Sequence, residues 1–221
     1  MLKEIVQLFK SDSLYDQALN ECYEMLDICK EMFNESIKSL RKNNTDKYPL
    51  NIYAKDKKIN EFERDVRRKV MTHLGVSNQQ DISAGLALVS IVIDIERIGD
   101  YTKNIYDLAV QYPKKLSCGS FEQEVSKMED LAKKYLNDSI DAFKNQDIDL
   151  ARRLMEDYKK NISSAESLII KQVISGNVVD LSASQASSLC LYLRYLKRIS
   201  AHSRNLVSSI VNPFDRIGYP E

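Results

Sequence analysis

The chain has 221 residues, 43% apolar and 29% charged, with 32 Lys plus Arg against 32 Asp plus Glu. That composition suits a globular protein of one large or two small domains. Zero net charge gives no pull toward nucleic acid or an anionic bilayer, so neither is expected as a partner. Glycine is scarce, and the four prolines (Pro49, Pro113, Pro213 and Pro220) fall between or after long periodic segments, which points to an all-α fold. Cys22, Cys29, Cys118 and Cys190 contain no Cys-x-x-Cys pair. Cys22 and Cys29 lie two helical turns apart, about 10 Å along the axis and too far to bridge. Buried free thiols in a reducing cytosol are expected. The opening MLKEIVQLFKSD is interrupted by charges and does not read as a signal peptide. The uncharged run from Ile82 to Ile93 is too short to span a bilayer, so a cytoplasmic protein without direct membrane insertion is expected.

Residues 1–10 read as a short amphipathic piece. Ser11-Asp12-Ser13 offers caps for a helix to about Lys42, with apolar positions from Leu14 to Leu40 at alternating threes and fours. A second helix is expected from about Asn51 to Leu74, with Gly75 as its C-cap. The third covers 81–109, DISAGLALVSIVIDIERIGDYTKNIYDLA. Here Ile82, Leu86, Val89, Ile93, Glu96, Asp100 and Asn104 share one face, which the spacing predicts to point inward. A second apolar line, Leu88, Val92, Ile95, Ile98, Ile105 and Leu108, runs beside it. Ser120-x-x-Gln123 predicts a capping box for a fourth helix to about Asn145. The fifth is expected over about 148–175, stopped by Gly176-Asn177. Ser182-x-x-Gln185 predicts the cap of a sixth ending near Pro213, followed by an irregular tail, NPFDRIGYPE, mobile or folded back.

Shifting the sequence by 101 residues sets Arg97-Ile98 on Arg198-Ile199, Asn104 on Asn205, and Asp56 and Asn60 on Asp157 and Asn161. FNESIKSLRK at 33–42 parallels LNDSIDAFKN at 136–145 with a shift of 103, so the two-residue difference falls in a loop. The chain therefore reads as a tandem repeat of two antiparallel three-helix bundles, residues 1–115 and 116–212, with an irregular tail at 213–221. Asp56 is expected near Glu96, and Asp157 near Lys197.

The run IERIGDYTKNI resembles the signature of the PhoU family, helical regulators of phosphate uptake, and the duplicated architecture extends the resemblance from about Leu14 to Pro213. The resemblance implies a non-enzymatic adaptor between the ATPase of a phosphate ABC transporter and a sensor histidine kinase, commonly a homodimer. It also implies that Glu/Asp-x-x-x-Asp pairs hold multinuclear iron or zinc clusters. In this sequence the matching metal positions are Glu96 and Asp100 with Asp56 and Asn60, where Asn60 departs from the family's acid. Oxygen donors on facing helices also suit Mg or Mn. The bland alternative is a seam of ion pairs to Arg64, Arg67, Arg68 or Arg97. In the second repeat Glu96 becomes Lys197 and Asp100 becomes Ala201, so no metal is expected there.

Arg194, Lys197, Arg198 and Arg204 form a basic set better read as surface charge plus an internal ion pair than as a phosphate site. Tyr192 and Tyr195 are expected to pack between the bundles, and His202 as a packed or surface residue. No Glu-x-x-His motif, catalytic triad or P-loop supports an enzyme. The alternatives to the regulator are a metal-storage or metal-sensing bundle and a metal-free structural adaptor.

Overall fold

Side-chain caps fix most of the helix starts. In the computed structural model, which describes residues 13–42, 51–76, 82–112, 114–178 and 180–221 (less the side chains of 159–161), Ser13 Oγ accepts from Asp16 N while Asp16 accepts from Ser13 N. This reciprocal cap opens α1, Leu14–Lys42. Asn51 Oδ1 accepts from Ala54 N and opens α2, Ile52–Val76. The third helix, α3, is Ile82–Gln111. Asp147 caps α5 (Ile148–Asp157), and the predicted Ser182–Gln185 box caps α7 (Ala183–Val211). Residues 1–10, 11–12 and 43–50 lie outside the described residues.

Two predicted starts and stops are corrected. Ser120 does not cap the fourth helix. Its N–H and hydroxyl both turn to Asp180, and α4 (Glu122–Asn145) follows a 3-10 turn over Gly119–Phe121. Glu122 supplies the local acceptor instead, taking Cys118 N at 2.9 Å. Gly75 does not end α2 but lies inside its last turn. The fifth predicted helix is also interrupted. A π-helical turn, Tyr158–Ser163, separates α5 from α6 (Ser164–Ile174), and it buries Tyr158 and Ile162. Such a turn accommodates an extra residue and rotates everything after it.

The fold is all-α, two repeats of three helical rods: α1, α2 and α3, then α4, the interrupted α5–α6 pair, and α7. The rods of each repeat pack on one another, and α3 packs along α7 to join the repeats. One continuous apolar core runs through both, from Ala18 and Cys22 to Leu206 and Val207. Arg41 staples the connection: it donates to Leu116 O and pairs with Glu122 and Glu129. Tyr192 is fully buried and donates to Glu129, so it belongs to the second repeat's core; Tyr195 meets Tyr101 across the repeats at 6.1 Å. No helix among the described residues is long and apolar enough to cross a membrane.

The tail folds back. Gly218, in the left-handed region at φ +86°, donates to Ser208, and Arg204 donates to its carbonyl. A Cβ at 218 would lie 2.9 Å from Asn205 Oδ1, so this close return favours glycine. Arg152 closes the strap with two hydrogen bonds, 2.8 and 2.6 Å, to Glu221.

The inner face of α3 also differs from the expected one. Leu88, Val92, Ile95, Ile98 and Ile105 are buried, whereas Ile82 and Leu86 are exposed and Glu96, Asp100 and Asn104 only half-buried. The second apolar line is thus the core stripe, and the acid line lies at its edge. Ionised acids cost too much to bury wholly, so the helix turns them toward water and the α2 seam.

Candidate functional site

Where α2 crosses α3, Gly99 allows close contact: a Cβ there would meet Ile59 Cδ1 at 2.8 Å. The acids flanking Gly99 thereby meet those of α2. Lys103 Nζ lies 3.2 Å from Asp56 Oδ2 and 3.1 Å from Asp100 Oδ1, bridging the two helices. Asn60 turns its amide nitrogen to Asp56, 3.0 Å from the carbonyl and 3.5 Å from the carboxylate. Glu96 is pushed up to about 7, first by burial and then by the charges of Asp100, Glu63 and Asp56, with Arg97 opposing. Cys29 packs beneath, its thiol raised by burial and by the charges of Glu96 and Asp56. The four expected metal residues therefore share one seam. Arg67 and Arg68 are engaged elsewhere, with Glu63 and Asp65.

The donor chemistry of this seam suits a hard cation, but Lys103 already stands between two of the acids. Among the described residues no three His, Cys, Asp or Glu side chains converge to hold a metal. As arranged, the cation of the seam is an ammonium, and Asn60 presents its N–H side. A metal ion would have to displace Lys103.

The second repeat solves the same problem with other residues. Lys197 Nζ bonds Glu166 Oε2 at 2.7 Å, with Arg194 3.9 Å from the other oxygen. Glu166 is buried, with 5% of its side chain exposed. This corrects the expected partnership of Lys197 with Asp157. Asp157 is exposed and lines a separate cleft with Lys134 and Asp138. The π turn lies between Asp157 and Glu166 and resets the face that α6 presents to α7.

A buried polar network between the repeats was not anticipated. Asp94 Oδ1 accepts from His202 Nδ1 at 2.7 Å and from Asn205 Nδ2 at 2.9 Å. Arg198 Nη2 lies 3.2 Å from His202 Nε2, and its Nε donates to Tyr101 Oη. Tyr101 stacks on the imidazole at 17°. A guanidinium only donates, so Nε2 is the acceptor and Nδ1 carries the proton given to Asp94. The signal was in the sequence. Asp94 interrupts the apolar line of α3, and Asn205 and His202 share a face of α7. Of the basic set, Arg198 serves this network, Arg204 the tail and Lys197 the internal pair.

The PhoU domain family model matches residues 22–109 and again 125–210, the two repeats in turn. The chain belongs to the PhoU family. It is 29% identical over 161 residues to the phosphate-specific transport system accessory protein PhoU homolog of Pseudomonas putida, a match covering 71% of this chain and 62% of that protein. It thus spans less than two thirds of that relative's length. With PhoU homolog 1 of Thermotoga maritima it is 24% identical over 196 residues, covering 85% and 82%. The fold of this PhoU-family chain also matches the crystal structure of PhoU from Pseudomonas aeruginosa, with a TM-score of 0.80 at 20% identity over 90% of this chain and 95% of that one. The phosphate transport system regulatory protein PhoU of Streptococcus pneumoniae superposes with a TM-score of 0.76 at 17% identity, covering 89% and 93%.

Proposed function

We propose that this chain is a non-enzymatic accessory regulator of phosphate uptake and phosphate-starvation signalling. In this reading it acts in the cytoplasm as a homodimeric adaptor that couples the transporter's ATPase to a sensor histidine kinase. The observation that carries the reading is the pair of PhoU domains together with relatives named as accessory proteins of phosphate-specific transport. In a bacterium lacking its own PhoU protein, expression of this chain should restore repression of a phosphate-starvation reporter in phosphate-rich medium. A reporter that stays on while the folded protein accumulates contradicts the proposal, as does ATP or phosphoester hydrolysis lost in Glu96→Gln.

A second element of the reading concerns the first-repeat seam. Glu96 is raised to about 7, first by burial and then by the neighbouring Asp100, Glu63 and Asp56 carboxylates, so a cation in the seam would favour its ionised form. Glu96, Asp100, Asp56 and Asn60 would hold a divalent or trivalent cation (iron, zinc, manganese or magnesium) in competition with Lys103. Such an ion would supply charge neutralisation and a cross-link between α2 and α3. No such site is proposed for the second repeat, where Lys197 is fixed on Glu166.

A further inference from the structure

The short helix α6 is apolar on more than one side. Its sequence, SAESLIIKQVI, carries five aliphatics at Leu168, Ile169, Ile170, Val173 and Ile174, of which only Ile169 is buried. Leu168 is 60% and Ile174 77% exposed, and Leu191 on neighbouring α7 is 45% exposed. A surface helix ordinarily keeps such a stripe against its own core. Between α6 and α7 runs an open groove of about 610 Å³ with Ile170 and Ile174 on its wall and Lys171, Arg194 and Lys197 along its rim. Glu166 at the floor is already taken by Lys197. Arg194 is 3.9 Å from that carboxylate, beyond a hydrogen bond, and Lys171 pairs with no carboxylate among the described residues. The groove therefore combines apolar walls with three cations around a single carboxylate, a net positive charge.

We propose that this groove docks an acidic amphipathic helix of a partner protein. The charge pattern selects the sign of the partner, and the Ile170–Ile174 spacing of one turn matches the anchors of a helix laid in a groove. The eleven residues of α6 give about 16 Å of wall, three turns of a partner helix. An anionic bilayer fits less well: it would meet a concave surface with a carboxylate at its floor. The proposal stands whether or not the phosphate reading holds, because it rests on this surface alone.

The test uses the full chain and a labelled helical peptide of roughly 18 residues, with Leu at i, i+3, i+4 and i+7 and Glu on the polar face. A control peptide has Lys in place of Glu. Saturable binding of the Glu peptide in the micromolar range is expected, weakened about tenfold or more both in Lys171→Glu/Arg194→Glu and in Ile174→Ser. The charge-reversed variant should now prefer the Lys peptide. All three positions lie at the surface, and circular dichroism should show unchanged helicity. Absence of saturable binding, equal affinity for both peptides, or insensitivity to the substitutions overturns the proposal. So does failure of the peptide to bind when the same variants abolish self-association or binding to phosphatidylserine vesicles, which would assign the face to a second copy or to a membrane.

Discussion

The two repeats share a fold but neutralise the acids of their second rod differently. In the first, Lys103 reaches across from α3 to bridge Asp56 and Asp100, and all three side chains keep contact with water. In the second, Lys197 comes from the position of Glu96 and meets Glu166, nine residues beyond the counterpart of Asp56 and almost wholly buried. What the repeats share is the need for a cation between the second and third rods, not its address. The first seam is crowded with acids around a partly exposed lysine, and in the proposed reading a metal ion can replace that ammonium; in the second, the lysine is bonded to a single buried carboxylate.

The sharpest break of this comparison is Lys197→Ala. Losing the ammonium leaves Glu166 buried with only the Ser167 hydroxyl and Arg194 at 3.9 Å, which should cost up to about 3–5 kcal/mol. Urea unfolding should read most of that loss, and Lys197→Met/Glu166→Leu should recover much of it. A change below about 1 kcal/mol would mean that the pair is solvated, like an ordinary surface bridge. Next in size is His202→Ala. Asp94 would keep only Asn205, and a poorly satisfied buried carboxylate costs about 1–3 kcal/mol or more. The tautomer itself is checkable: nitrogen chemical shifts should show Nδ1 protonated and Nε2 bare at neutral pH.

The smallest effect concerns Glu96. Its carboxyl is raised from 4.5 to about 7, so the folded state holds the proton more tightly than the unfolded chain. Its contribution is complete below about pH 4.5 and is lost as the pH rises through about 7. Glu96→Gln should therefore gain stability relative to the parent at pH 8 and show no gain at pH 5. A difference independent of pH would contradict the raised Glu96 carboxyl.

Much of this was legible in the sequence. The period of α1, α3 and α7 located the long helices, and the 101-residue shift located the repeats, because both depend on patterns spread over many residues. The Ser182–Gln185 box was legible for a local reason, since both partners lie within one turn. The π turn was not, since no residue in YKKNIS announces a wider turn; the pairing of Lys197 was missed because Asp157, just before that turn, faces solvent, while Glu166, after it, faces α7. The acid seam was found through Glu96, Asp100 and Asp56, yet Lys103 was overlooked although it lies three residues from Asp100. Asp94 escaped because one acid in an apolar line gives no sign of its partner 108 residues away.

The central claim, an exchangeable cation in the first repeat and a fixed one in the second, is tested most directly by metal uptake. Protein equilibrated with manganese, zinc or ferrous iron, desalted and subjected to elemental analysis should report the first seam alone. Lys103→Met should raise apparent affinity about tenfold or more over the parent, because the competing ammonium is gone. Glu96→Ala/Asp100→Ala should fall to background, and Lys197→Ala should match the parent. Uptake unaltered by Lys103→Met, metal retained by the double variant, or metal lost with Lys197→Ala would contradict the account.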